Sequence, residues 1–285
     1  MNGTLYLVGT PIGNLKDISL RALETLAEVD LIACEDTRHT LKLLNHYGIK
    51  GKKLISYHEH NEQQRAEELI NHLLAGKSIA LVSDAGMPAI SDPGYRIVKK
   101  IRQTGLRLVV IPGPIAFISA LLISGLPTDA IFFAGFLPSK KSDRCKYLEK
   151  IKYIPATLCF YEAPHRLVSS LRDCLQILGN RKAAVAREIT KIHEEVISGS
   201  LHELIEKPMT IKGEIVLLID RANEDQCFFI EDSDALEKEI CRYINSLEKS
   251  GADRKRAMKE AAKKFNVKKS EVYKILQKLR SYSDK

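Results

Sequence analysis

Between Ile79 and Tyr95 the character of the chain changes abruptly. Four apolar residues, Ile79-Ala-Leu-Val82, give way to Ser83-Asp-Ala-Gly-Met-Pro-Ala-Ile-Ser-Asp-Pro-Gly94, and a helical pattern follows from Tyr95 to Arg102. The apolar run reads as a buried strand, and two prolines with two glycines shape the loop after it. Open α/β sheets bind ligands at such carboxyl ends of strands, although a long surface turn would have the same composition.

The same order recurs through the first half. Leu5 to Val8 reads as a strand followed by the loop Gly9 to Asp17 and a helix capped by Ser19. Asp30 to Cys34 leads into Glu35-Asp-Thr-Arg-His-Thr40, and Leu54 to Tyr57 into His58-Glu-His-Asn-Glu62. A helix then places Ala66, Leu69, Ile70, Leu73 and Leu74 on one face. A fifth strand, Leu106 to Ile111, ends at Pro112-Gly-Pro114. A parallel sheet would gather these polar and Gly/Pro clusters along one edge. From Ala130 a second pattern begins, with strands expected at 157–161, 183–187 and 214–219 and helices at 143–151, 166–178 and 200–207. The expected division is an α/β domain over 1–126, a second over 127–222, a connecting helix over 223–249 and a basic tail over 250–285.

Charge locates a partner. Residues 250–285 carry 12 Lys or Arg against 4 Asp or Glu, whereas residues 1–249 carry 32 of each sign. A basic segment on a neutral body suits a polyanion, and its helix, short turn and helix resemble a helix-turn-helix; a helical hairpin has the same pattern. Six scattered cysteines without C-x-x-C spacing predict small buried hydrophobes in a reducing compartment. No run of about 18 apolar residues occurs, and the start lacks the pattern of a secretion signal, so a soluble cytoplasmic protein without a membrane partner is expected. Glycines four apart in Gly9-Thr-Pro-Ile-Gly13 fit neither a P-loop nor a dinucleotide fingerprint, which disfavours ATP and NAD.

These clusters carry a resemblance. Leu5-Tyr-Leu-Val-Gly-Thr-Pro-Ile-Gly-Asn-Leu15, Glu35-Asp-Thr-Arg38, His58-Glu-His-Asn61, Leu81-Val-Ser-Asp-Ala-Gly-Met-Pro88, Ser91-Asp-Pro-Gly94, Pro112-Gly-Pro114, Gly135-Phe-Leu-Pro138, Phe160-Tyr-Glu162 and Arg187-Glu188 resemble the class III S-adenosylmethionine-dependent methyltransferases of the tetrapyrrole methylase superfamily. Glu35 to Arg38 and His58 to Asn61 narrow it to the group that methylates a cytidine 2′-oxygen in the decoding centre of 16S ribosomal RNA. The resemblance implies two α/β domains with a cofactor cleft between them, S-adenosylmethionine as methyl donor, no metal, a homodimer, and ribosomal RNA or the small subunit as substrate. Pro11, Asp84, Gly86, Met87, Ala116, Glu162 and Glu188 are the positions it implies at the cofactor. Asp84 could meet the cofactor's charge, or simply cap its own loop. Ile115 departs from the family, which usually carries a small residue there.

A ribose hydroxyl is a weak acid, so a base within hydrogen-bond reach would aid methyl transfer. Strand ends offer Glu35, Asp36, His58, His60 and Lys191. Asp36 is the expected base, with Arg38 holding a phosphate; an internal Asp36 to Arg38 bond that shapes the turn is the alternative. His58-x-His60 lacks an evident third ligand for a metal. A tetrapyrrole C-methyltransferase and a non-enzymatic DNA-binding regulator remain as competing functions.

Overall fold

The computed structural model describes residues 2–207, 212–222, 233–265, 267, 270 and 272–276. The first sheet is built from β1 (Thr4–Val8), β2 (Leu31–Cys34), β3 (Lys53–Ser56), β4 (Ile79–Val82) and β5 (Arg107–Ile111). All its pairings are parallel, in the order β3-β2-β4-β1-β5. Strands β2 and β4 are buried at every residue because helices cover both faces. Alternation divides each strand between two cores. Leu5, Leu31, Ala33, Ile79 and Leu81 meet Ala66, Leu69 and Leu73 of α3 (Glu62–Leu74) and Ile97 and Ile101 of α4 (Tyr95–Thr104). Val8, Ile32, Cys34, Ala80 and Val82 meet Ala22 and Leu26 of α1 (Leu20–Glu28) and Leu44 of α2 (Thr37–His46).

A second sheet follows, from β6 (Ile131–Phe136), β7 (Thr157–Glu162), β8 (Lys182–Arg187), β9 (Glu195–Ser200) and β10 (Ile215–Ile219). Its order is β6-β7-β10-β8-β9; only β6 and β7 run parallel. Strand β9 went unanticipated because Glu, Ser and Gly dilute its apolar alternation. It is an edge strand, where a single row of partners on β8 suffices. Helices α6 (Lys141–Ile151), α7 (Leu167–Leu178) and α8 (Leu201–Glu206) pack Leu148, Leu171, Cys174 and Leu204 against one face. The other face, with Cys159, Ala184, Ala186, Val216 and Leu218, receives Ala120 and Leu121 of α5 (Ala116–Ser124) and Ile12 from the β1 loop. Two α/β halves thus share an apolar seam beside the carboxyl ends of β1 and β4.

The described residues from Ala222 onward form a separate compact unit. Ala257, Met258 and Ala261 of the helix Arg254–Lys264 pack on Ile240 and Ile244 of the helix Ser233–Lys249, with Val272 completing the core. Asp253 caps the second of these helices by accepting from the Lys255 and Arg256 amides at 2.7 and 3.0 Å. Arg254, Lys255, Arg256, Lys259, Lys263 and Lys264 are exposed. Part of the expected second tail helix lies outside the described residues.

Candidate active site

The loop after β4 is fixed from two sides. Thr10 and Gly86 exchange backbone hydrogen bonds at 2.9 and 3.1 Å, and the Thr10 hydroxyl donates to the Ser83 carbonyl at 3.1 Å. The β1 and β5 ends come together at Gly9 and Gly113, where a Cβ on Gly9 would lie 2.6 Å from the Gly113 Cα, so neither position has room for a side chain. Beyond Gly86 the chain turns through left-handed Ala89 (φ 68°) and Ser91 (φ 60°), a conformation that costs non-glycine residues about 1–3 kcal/mol each. Such strain persists only where surrounding contacts over-determine the loop.

These turns wall a cavity of about 320 Å³, within the size range of small-molecule sites. Its lining includes Ile12, Gly86, Met87 and Asp92 from the first half and Tyr161, Glu162, Ile189 and Glu214 from the second. Most of this wall is apolar; the charge comes from carboxylates. Burial pushes the Asp92 carboxyl up to about 6, the negative charges of Glu35 and Asp84 add to this, and the Ser83 hydroxyl holds it down. Burial and then Asp84 also raise Glu35, against a lowering effect of His58. Glu35, Asp84 and Asp92, all half-buried, thus lie close enough to act on one another, and of the three it is Asp92 that lines the cavity. Burial likewise raises the Tyr161 phenol to about 12, so it stays a hydrogen-bond donor at neutral pH.

Of the positions expected at a cofactor, Gly86, Met87, Ala116 and Glu162 line the cavity. Pro11 sits between Thr10 and the lining residue Ile12. The Asp84 carboxylate accepts the Asp36 amide at 3.1 Å, tying the β4 loop to the β2 loop. The Glu162 carboxylate is fully engaged, accepting from the Ala163 amide at 2.8 Å, the Ser170 hydroxyl at 2.5 Å and Arg166 at 2.7 Å. Glu188 accepts from Lys191 at 2.8 Å and the Glu214 amide at 3.0 Å, which hold its carboxyl below the usual range. Its own backbone is left-handed (φ 52°). Ile115 precedes α5 in extended conformation and lines the cavity.

Asp36 caps α2 through the Arg38 amide at 2.8 Å and grips the Arg38 guanidinium with both oxygens, at 3.1 and 2.7 Å. The Arg38 side chain and amide hold its carboxyl well below the usual carboxylate range. Arg38 is otherwise 87% exposed. Asn61 organises the next strand end by accepting from the His58 amide at 2.9 Å and donating to the Ser56 carbonyl at 3.2 Å. Burial opposes the charge on Lys191, but Glu188 and Glu214 outweigh it and raise the ammonium, so Lys191 is a cation rather than a base. No cluster of metal-ligand type occurs among the described residues.

Asp92 lines the cavity although it is not among the positions expected at a cofactor. The signal was present in Ser91-Asp-Pro-Gly94, but spacing does not distinguish it from Asp84 eight residues earlier; only the fold shows which carboxyl faces the cavity.

A parallel sheet joined to a mixed sheet, with a cavity at the strand ends, is the architecture of the tetrapyrrole methylases. The family model for tetrapyrrole (corrin/porphyrin) methylases matches residues 4–205. A solved diphthine synthase has the same fold, with TM-score 0.61 and 15% identity over 80% of this chain and 94% of that one. The chain belongs, more narrowly, to the ribosomal RNA small subunit methyltransferase I family. It is 46% identical to the Halalkalibacterium halodurans member, covering 96% of this chain and 94% of the relative. The Thermotoga maritima member is 47% identical over 76% of this chain and 98% of its own length.

Proposed function

We propose that the chain binds S-adenosylmethionine in the cavity and transfers its methyl group to the 2′-oxygen of a cytidine ribose in 16S ribosomal RNA, acting in the cytoplasm as a homodimer. The observation that carries this reading is the largely apolar cavity of about 320 Å³ whose charged lining residues, Asp92, Glu162 and Glu214, are all carboxylates, suited to a ligand with an ammonium and a sulfonium. The relatives' names supply the class of substrate. Domain limits at 126 and 222 are part of the same proposal. So is the dimer, which is supported by α5: this helix is apolar on all sides yet leaves Leu122 71% and Ile123 51% exposed.

In this reading Asp92 faces the cationic end of the donor, the Gly86 to Met87 backbone abuts it, and Ile12, Ile189 and Tyr161 exclude water. A methyl group on a sulfonium needs no further activation, so the protein supplies mainly alignment, an effect that can reach about 7–11 kcal/mol. Arg38 takes an RNA phosphate. Once a phosphate shares the guanidinium, the bonds that hold down the Asp36 carboxyl weaken, and its proton affinity rises just when a base is required. The exposed lysines and arginines of Arg254–Lys264 add affinity for RNA. The Thermotoga maritima relative, named a ribosomal RNA small subunit methyltransferase I, matches 76% of this chain over 98% of its own length.

The test is transfer of labelled methyl from S-adenosylmethionine to small ribosomal subunits, followed by alkaline hydrolysis of the RNA. A 2′-O-methyl group protects the adjacent phosphodiester, so label in an alkali-resistant dinucleotide beginning with cytidine is expected. Label released on a base, or transfer only to a tetrapyrrole, would overturn the proposal. Deleting residues 250–285 is expected to lower RNA affinity and flatten its salt dependence.

A further inference from the structure

Helix α4 begins beside the cavity without a cap of its own: Gly94 precedes it, and no local side chain accepts its first amides. Glu62 of α3 supplies the acceptor from a distance. One carboxylate oxygen takes the Gly94 and Arg96 amides at 3.2 Å each, and also the Tyr57 hydroxyl at 3.2 Å. The other oxygen faces the Arg96 guanidinium at 3.4 Å. Glu62 is only 7% exposed, and Tyr57, at the end of β3, is 1% exposed.

Glu62 is therefore a negative charge placed at a helix N-terminus by a neighbouring helix, where orphan amides favour it. What it holds is the second half of the β4 loop. Residues 89–93 close on themselves through the Ala89 amide and the Pro93 carbonyl at 3.2 Å, and Asp92 stands inside this closure. At its other end Glu62 belongs to the turn that His58 and Asn61 build, since the Glu62 amide donates to the His58 carbonyl at 2.9 Å. One buried carboxylate thus links the strand end carrying His58 and Asn61 to the loop carrying Asp92.

We propose that Glu62 is a positioning residue for cofactor binding, which sets Asp92 against the cavity by capping α4 from α3. The proposal rests on the reading of the cavity as the methyl-donor site. Without the cap, the left-handed turns at Ala89 and Ser91 lose the support that over-determines them, and Asp92 moves toward water. Three groups face Asp92 from the packed elements: Glu35 after β2, Asp84 after β4 and Tyr161 on β7.

The experiment measures S-adenosylmethionine affinity by calorimetry between pH 5 and 8 for the full chain, Glu62→Ala, Glu62→Gln and Lys100→Ala. Glu62→Ala is expected to bind at least ~10-fold more weakly, with the bend near pH 6 moved toward lower pH, because a solvated Asp92 titrates nearer an ordinary carboxyl. Glu62→Gln keeps an acceptor oxygen of the same reach and is expected to restore affinity to within ~3-fold, even if the alanine variant folds poorly. Lys100→Ala removes the exposed Lys100 to Glu67 ion pair between the same two helices and is expected to change nothing. A folded Glu62→Ala that keeps wild-type affinity and pH profile overturns the proposal, as does Glu62→Gln falling as far as alanine. Failure of the wild-type chain to bind S-adenosylmethionine overturns the reading of the cavity instead.

Discussion

Under the proposed reading, Asp92 makes cofactor affinity depend on pH in a way that can be calculated. In the ligand-free protein its carboxyl titrates at about 6, because burial and the charges of Glu35 and Asp84 oppose ionisation. A ligand with an ammonium and a sulfonium selects the ionised form. The apparent dissociation constant therefore carries a factor of one plus ten raised to the difference between this pKa and the pH. That factor is about 1.1 at pH 7, about 2 at pH 6 and about 11 at pH 5. Affinity should thus fall roughly tenfold between pH 7 and pH 5. Near pH 6, binding should release about half a proton. Calorimetry in buffers of different ionisation enthalpy measures that proton directly. Asp92→Asn should bind weakly at every pH with no bend near 6. Proton uptake on binding, or a wild-type affinity flat from pH 5 to 7, would refute the assignment of Asp92 to the cationic end of the ligand.

Two further outcomes follow from geometry. Asp36→Asn keeps an oxygen for the Arg38 amide but cannot accept a proton, so single-turnover methylation should slow by about 10²-fold or more while cofactor affinity is unchanged; an unchanged rate removes Asp36 as base. Arg144 and Asp173 form a buried pair at 2.5 and 2.8 Å, and Arg144 also holds the Pro138 and Ser139 carbonyls at 3.2 and 3.1 Å. Arg144→Ala should cost up to about 3–5 kcal/mol in denaturant unfolding, because it leaves the buried Asp173 charge to the exposed Lys141 ammonium at 3.7 Å, and Arg144→Met with Asp173→Leu should cost much less than the sum of the two single changes.

The fold was legible where one residue type does one job. Four-residue apolar runs marked β2 and β4 because both faces of a parallel sheet are covered, and Gly/Pro clusters marked their ends. Asp30, read as the first residue of a strand, instead accepts the Ser78 amide and hydroxyl at 2.6 and 2.7 Å. Strand β9 was illegible because its pairing with β8, not its composition, makes it a strand. The site was legible as a set of loops and less so as individual side chains. Asp36, Glu162 and Glu188 all occur at strand ends, yet each is bound to protein partners that sequence spacing does not reveal. Asp92 differs because the like charges of Glu35 and Asp84 act on it, a property of the β2 and β4 ends brought side by side.

That same arrangement places a cost on the empty protein, and the sign of the cost is testable. Asp92 titrates at about 6 in the folded chain against 3.8 when unperturbed, so between those values the folded state binds more protons than the unfolded one. Stability should fall as pH rises from 3.8 to 6, then carry a constant penalty above. A shift of about two units corresponds to at most ~3 kcal/mol, less after solvent screening of a half-buried group. Asp92→Asn should therefore raise the thermal midpoint of the ligand-free protein at pH 7.5, with the gain shrinking below pH 6 and gone near pH 4. The wild type should recover the deficit when S-adenosylmethionine is added, and the variant should not. A variant less stable than wild type at pH 7.5 would mean that Asp92 holds the loop together rather than waiting for a cation.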